Sequence, residues 1–124
     1  MLTLLVVDAA NVVGSVPDGW WRDRHGATER LRDRLGPLAR DGIAGHPGPL
    51  DVVLVVEGRA GGVRPVPGVR VDAAPGSGDD RIVELAREAA RAGRDCVVVT
   101  ADRELRRRVA EHGAAQAGPR AVRT

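Results

Sequence analysis

A chain of 124 residues with 43% apolar content is one domain's worth and can bury a real core. Its single cysteine excludes an internal disulfide, and no apolar stretch approaches the ~20 residues of a membrane span. The opening run Met1–Asp8 lacks the basic leader of a signal peptide, so a protein of the reducing cytoplasm is expected.

Residues 2–8 form a continuous apolar run ending in Asp8, as in a central strand buried on both faces. A loop rich in Gly, Pro and Trp is expected over residues 9–24. Leu31, Leu35 and Leu38 share one helical face, which predicts a helix over residues 27–40 with Thr28 or a neighbour as its cap and Gly42 beyond its end. Pro37 is expected to kink or shorten it. The turn cluster Gly45-His46-Pro47-Gly48-Pro49 leads to a second strand at 52–56, closed by Glu57-Gly58. A flexible connection, residues 59–68, precedes a third strand at 69–73.

Ile82, Leu85, Ala86, Ala89 and Ala90 mark a helix from Asp79 to Arg91, ended by Gly93. Residues 96–100 read as a fourth strand, 102–112 as a third helix, and 115–117 as a short fifth strand. Alternation of strands and helices predicts a three-layer α/β domain with a mainly parallel sheet over residues 1–117. Residues 118–124 are expected to be a flexible tail. A core of Val, Leu and Ala, with no Phe or Tyr, suits parallel strands packed under helices.

Acidic residues recur where strands hand over to loops or helices: Asp8 with Asn11, the pair Asp79-Asp80, and Asp102. Singly, each has a structural explanation: Asp79 and Asp102 as helix caps, Asp80 as a first-turn acid, Asn11 in an Asx turn. Together they lie where the carboxyl ends of parallel strands converge on one crevice. If the first and fourth strands are neighbours, Asp8 and Asp102 are expected about 5 Å apart. At that distance two carboxylates repel by about 3 kcal/mol at an effective dielectric near 20. Either a carboxyl takes up a proton or a cation neutralises the set. His25, His46 and His112 have no ligand spacing, so the donors are hard oxygens, which select Mg²⁺ or Mn²⁺. A water on such a cation can attack phosphorus, and no side-chain nucleophile is needed. Cys96, in the run of the fourth strand, reads as a buried structural thiol.

The stretches Val7-Asp8-Ala9-Ala10-Asn11-Val12-Val13, Asp79-Asp80-Arg81-Ile82-Val83 and Val99-Thr100-Ala101-Asp102-Arg103-Glu104-Leu105 resemble the NYN branch of the PIN-like nuclease superfamily. The resemblance runs from Leu2 to about Gly113. It implies a PIN-like α/β/α sandwich with strand order 3-2-1-4-5 and a Mg²⁺- or Mn²⁺-dependent endoribonuclease. Asp8, Asp79 or Asp80, and Asp102 would be metal ligands, directly or through water, and Asn11 would orient a ligand or the substrate phosphate. Ala9 stands where the family usually has Gly. Arg106 stands where some relatives carry a further Asp, which leaves Glu104 as a substitute and the number of metals open.

Further residues can join such a site. Glu57 can reach the acids or simply end a strand in solvent. Of Trp20 and Trp21, one can cap the core while the other stacks on an unpaired base beside Arg22 or Arg24. Arg81, Arg103 and Arg107, with Arg106 and Arg108, can follow a phosphate backbone or form a solvated helix face. All 19 basic residues are arginine, a uniformity that GC-rich coding produces by itself, so arginine content alone points to no partner. The leading expectation is hydrolysis of single-stranded RNA. A catalytically weak RNA-binding or partner-regulated module and a small-nucleotide phosphohydrolase are the alternatives. A homodimer through the face opposite the site is compatible with each.

Overall fold

β1 (Thr3–Asp8) is hydrophobic at every position before its final aspartate except Thr3, and it becomes the middle strand of a five-stranded sheet. This is the arrangement in a computed structural model that describes residues 1–60 and 62–123. α1 (Ala9–Gly14) follows at once, and a turn of 3-10 helix (Trp20–Arg22) precedes α2 (Arg24–Asp41). β2 (Gly42–Ile43) and β3 (His46–Pro47) make a small antiparallel hairpin before β4 (Leu50–Val56). Then come β5 (Val69–Ala73), α3 (Gly78–Arg91), β6 (Cys96–Val99), α4 (Arg103–Ala110), β7 (Ala115–Ala117) and α5 (Arg120–Arg123).

The sheet order is β5-β4-β1-β6-β7, with every neighbouring pair parallel. Among the five main strands this is the expected order 3-2-1-4-5, and the layers are those of a PIN-like α/β/α sandwich. Alternate side chains of β1 go to opposite faces, as the strand repeat of two requires. Leu5 and Val7 join Leu54, Leu31, Leu35 and Val122 on the α1, α2 and α5 side. Leu4 and Val6 join Val53, Val98, Ile82, Leu85, Leu105 and Val109 under α3 and α4. Covered on both faces, the central strands need no polar alternation.

Several expectations change. The loop expected over residues 9–24 contains α1, which buries Ala9, Val12 and Val13. α2 begins earlier than expected: Asp23 accepts from the Gly26 amide at 2.9 Å, while the Thr28 hydroxyl donates to the Arg24 carbonyl. It also runs through Pro37 to Asp41, because Leu31, Leu35 and Ala39 are buried in the core on either side of it. Gly42 ends it with φ of 86°, and a Cβ there would collide with the Gly48 nitrogen and the His46 carbonyl oxygen. The cap of α3 is Ser77, so Asp79 and Asp80 sit in its first turn rather than at its start.

The tail expected to be flexible carries α5, where Val122 is fully buried and Arg123 donates to the Ser15 carbonyl and hydroxyl at 2.8 and 3.0 Å. Thr124, and Gly61 in the connection expected to be flexible, lie outside the described residues. Cys96 is buried, and burial pushes its thiol up to about 11, as suits a structural cysteine. No helix among the described residues is long and apolar enough to cross a membrane.

Candidate functional site

Asp8 ends β1 and caps α1 in the same step. Its Oδ1 accepts from the Asn11 amide at 3.3 Å and its Oδ2 from the Thr100 hydroxyl at 2.9 Å. It is only 7% exposed. Burial pushes its carboxyl up to about 6; the bonds from Thr100 and Asn11 pull the other way, and the negative charges of Asp79 and Glu57 add to the rise.

The register of β1 on β6 pairs Val7 with Val99, so the residue beside Asp8 is Thr100 rather than Asp102. The expected direct Asp8–Asp102 pair is therefore replaced by a relay. The Thr100 hydroxyl donates to Asp8 and accepts from the Asp102 amide at 3.2 Å. The Asp102 carboxylate caps α4 by accepting from Leu105 N at 2.9 Å. Asn11 joins the same corner, its Oδ1 accepting from the Ala101 amide at 2.8 Å. Thr100 has no exposed surface and links two acids, a role the sequence reading missed. The parallel register, carried one residue past the Val7–Val99 pair, puts it there.

Asp79 and Asp80 separate. Partial burial raises the Asp79 carboxyl, the nearby negative charges of Asp102 and Glu57 add to the rise, and Arg108 pulls the other way. Asp80 turns outward, where Arg108 Nη2 donates to it at 2.9 Å. Glu57, just past β4, accepts from the Gly78 amide at the start of α3 and stands close enough to raise both Asp8 and Asp79. Asp8, Glu57, Asp79 and Asp102 thus gather near the carboxyl end of the parallel strands from four separate segments.

No arginine among the described side chains pairs with any of these four acids. The opposite end is different: Asp51 there receives Arg94 at 2.6 Å and Arg70 at 2.9 Å. Burial raises its carboxyl, but those two bonds outweigh burial and leave it lowered. Arg108, on the neighbouring Asp80, offsets part of the charge at Asp79, and the clustered acids keep a net negative potential that favours a cation or a proton. Their donor set is all oxygen, the kind that suits a hard divalent ion. Among the described residues, no three acidic, His or Cys side chains form a ready-made metal cage.

The remaining candidates scatter. Glu104 is bound by Arg107, which also donates to Glu111 at 2.7 Å, so Glu104 is not the substitute acid and Arg107 is engaged on the outer face of α4. Arg81 grips Asp72 through Nε and Nη2 at 2.9–3.2 Å and Glu84 at 3.0 Å, so it belongs to the scaffold. Arg103 is exposed at the first position of α4.

Trp20 packs partly against the core, whereas Trp21 is 55% exposed and meets it edge to face at 6.0 Å. The Arg22 guanidinium lies 5.9 Å from the Trp21 ring, and that of Arg24 lies 5.2 Å from the Trp20 ring. Ala9, Ala10, Trp20, Arg24, Glu57 and Ser77 are among the residues lining a cleft of about 450 Å³ beside the acids.

The parallel sheet, its strand order and its flanking helices give an α/β/α domain of PIN-like fold. Two crystal structures of Rae1 (YacP) from Bacillus subtilis, one of them a point mutant, are similar to it throughout. Each has a TM-score of 0.73 at 18% identity; the mutant match covers 98% of this chain and 72% of that one, the other 97% and 71%. No protein-family model matches the sequence, and no curated protein matches it either.

Proposed function

We propose that this protein is a Mg²⁺- or Mn²⁺-dependent endoribonuclease that hydrolyses phosphodiester bonds in single-stranded RNA. The observation that carries the reading is the gathering of Asp8, Glu57, Asp79 and Asp102, without an arginine partner among the described side chains, near the carboxyl end of the parallel strands of a PIN-like sheet. Asp8, Asp79 and Asp102 would hold the cation directly or through water, with Glu57 as the fourth acid. A cation bound there supplies charge neutralisation at the phosphate and a water of lowered pKa as nucleophile. Because no three of these side chains are placed to hold an ion together among the described residues, the cation would bind through one or two carboxylates and keep several waters.

Thr100 and Asn11 act on the acids rather than on the substrate. The Thr100 hydroxyl fixes which Asp8 oxygen faces inward and ties it to the Asp102 backbone. Asn11 pins the Ala101 amide, so the β6–α4 turn cannot drift from the β1–α1 corner.

The test is cleavage of single-stranded RNA, with nucleotide hydrolysis measured alongside, in Mg²⁺, Mn²⁺ and EDTA. Metal-dependent RNA cleavage lost in Asp8→Asn and Asp102→Asn is the expected result. Wild-type rates in both variants would refute it, and hydrolysis of nucleotides alone would make the protein a small-nucleotide phosphohydrolase. A weak RNA-binding module is the second reading, favoured by Arg106 in place of an acid and by the capture of Glu104 by Arg107. RNA binding without turnover under every metal condition would select it.

A further inference from the structure

The cleft of about 450 Å³ opens directly beside the acids: Ala9 and Ala10 follow Asp8 in α1, Ser77 precedes Asp79 by two residues, and Glu57 belongs to both cleft and cluster. Its walls differ in character. Ala9, Ala10 and Val13 make an apolar floor, and Trp20 supplies an aromatic wall held in place by its packing on the core. The Arg24 guanidinium lies over the Trp20 ring, 5.2 Å from its centre, so it covers one face of the indole and must swing aside, toward a phosphate, for a base to stack there. Glu57 lines the cleft too and repels a phosphate from it.

A flat, neutral group fits the apolar floor and gains from stacking on the indole, whereas an anion suits only the Arg24 side. A nucleobase with its attached phosphate has both parts. We propose that this cleft is a nucleobase subsite, taking the unpaired base of the nucleotide next to the phosphate held at the acids, with Trp20 as its stacking residue and Arg24 as its phosphate contact. The proposal rests on the nuclease reading for the neighbouring phosphate, but base binding itself needs no turnover. Such a subsite would favour single strands, since a paired base cannot leave its stack to enter a cleft at no cost.

The test uses the full chain with Asp8→Asn to stop cleavage and Trp21→Phe to leave Trp20 as the sole indole. Indole emission is followed during titration with a hexaribonucleotide, an abasic ribose-phosphate chain of the same length, and a nucleoside monophosphate. The base-bearing hexamer is expected to change the emission and the abasic chain to leave it unaltered. Trp20→Leu is expected to weaken hexamer binding roughly tenfold or more, the effect of losing one base–aromatic stack. Should that variant fold poorly, Ala10→Leu fills the floor from an exposed α1 position and is expected to weaken binding similarly while the cooperative melt is retained.

Saturation by the monophosphate at comparable affinity would support the subsite and assign it to free nucleotides; a response to the hexamer alone would support it and assign it to a strand. Equal binding of abasic and base-bearing chains, or full affinity in Ala10→Leu, would overturn it. The two readings fail separately. Base-dependent emission change with no cleavage by the unsubstituted chain refutes hydrolysis and leaves the subsite, and cleavage with base-independent binding does the reverse.

Discussion

Asp8→Asn should make the metal-free protein more stable at neutral pH, although it removes the residue at the centre of the site. The folded carboxyl sits at about 6 against an ordinary value of 3.8, chiefly because it is buried, and at 7% exposure little solvent screening applies. A rise of about two units corresponds to about 3 kcal/mol. Because the folded pKa is raised, the contribution of Asp8 is fully favourable below about pH 4 and is lost as the pH climbs through about 6. Asparagine carries no such loss. It does replace one of two accepting oxygens by a donor, opposite either Thr100 or the Asn11 amide, at a cost of about 1 kcal/mol. The variant should therefore match the parent near pH 4.5 and exceed it by about 2 kcal/mol at pH 7.5. Urea unfolding in EDTA across that range measures the gap. A gap that does not grow with pH, or an Asp8→Asn protein less stable at pH 7.5, would refute the reasoning.

Mn²⁺ should raise the melting temperature of the parent more at pH 7.5 than at pH 5, because the cation competes with the proton on Asp8, and should do little for Asp8→Asn; calorimetry with and without metal decides it. Asp79→Asn should lower RNA cleavage on the order of a hundredfold, while Asp80→Asn, which breaks only the exposed bond to Arg108, should stay within a few-fold in the same assay. Thr100→Val should cost about 1–3 kcal/mol by leaving the Asp102 amide and an Asp8 oxygen without their partner, read as a lower urea midpoint. Arg81→Gln should lower stability by about 1 kcal/mol through loss of its paired contact with Asp72, with RNA affinity unchanged in a filter-binding titration.

The order of the sheet was legible because each main strand is an apolar run followed by a helical pattern, and parallel strands covered on both faces must be such runs. The acidic cluster was legible for the same reason, since Asp8, Glu57 and Asp102 each follow such a run. α1 escaped because six residues, Ala9–Gly14, are too short to show a period, and Val12 and Val13 are weak helix formers alone. α5 escaped for a related reason: one buried valine in four residues carries no pattern, and its anchor on Ser15 is a long-range contact. Asp79 could not be separated from Asp80 because neighbouring helical positions point about a quarter turn apart, and only the cap at Ser77 fixes which faces the acids. Thr100 was hidden by register, which is a property of two strands together.

The corner at Asp8 draws its parts from both ends of the sequence. Asp8 takes its hydroxyl partner from Thr100 and Asn11 takes the Ala101 amide, while the turn after α1 is held at Ser15 by Arg123. These tethers span 92, 90 and 108 positions. A growing chain therefore exposes Asp8 early but lacks the groups that orient it until residues 100–123 have been made. The acids assemble only as the fold closes, so partly folded chains carry the site's charges without its geometry, and any nucleolytic capacity of the site appears late in folding.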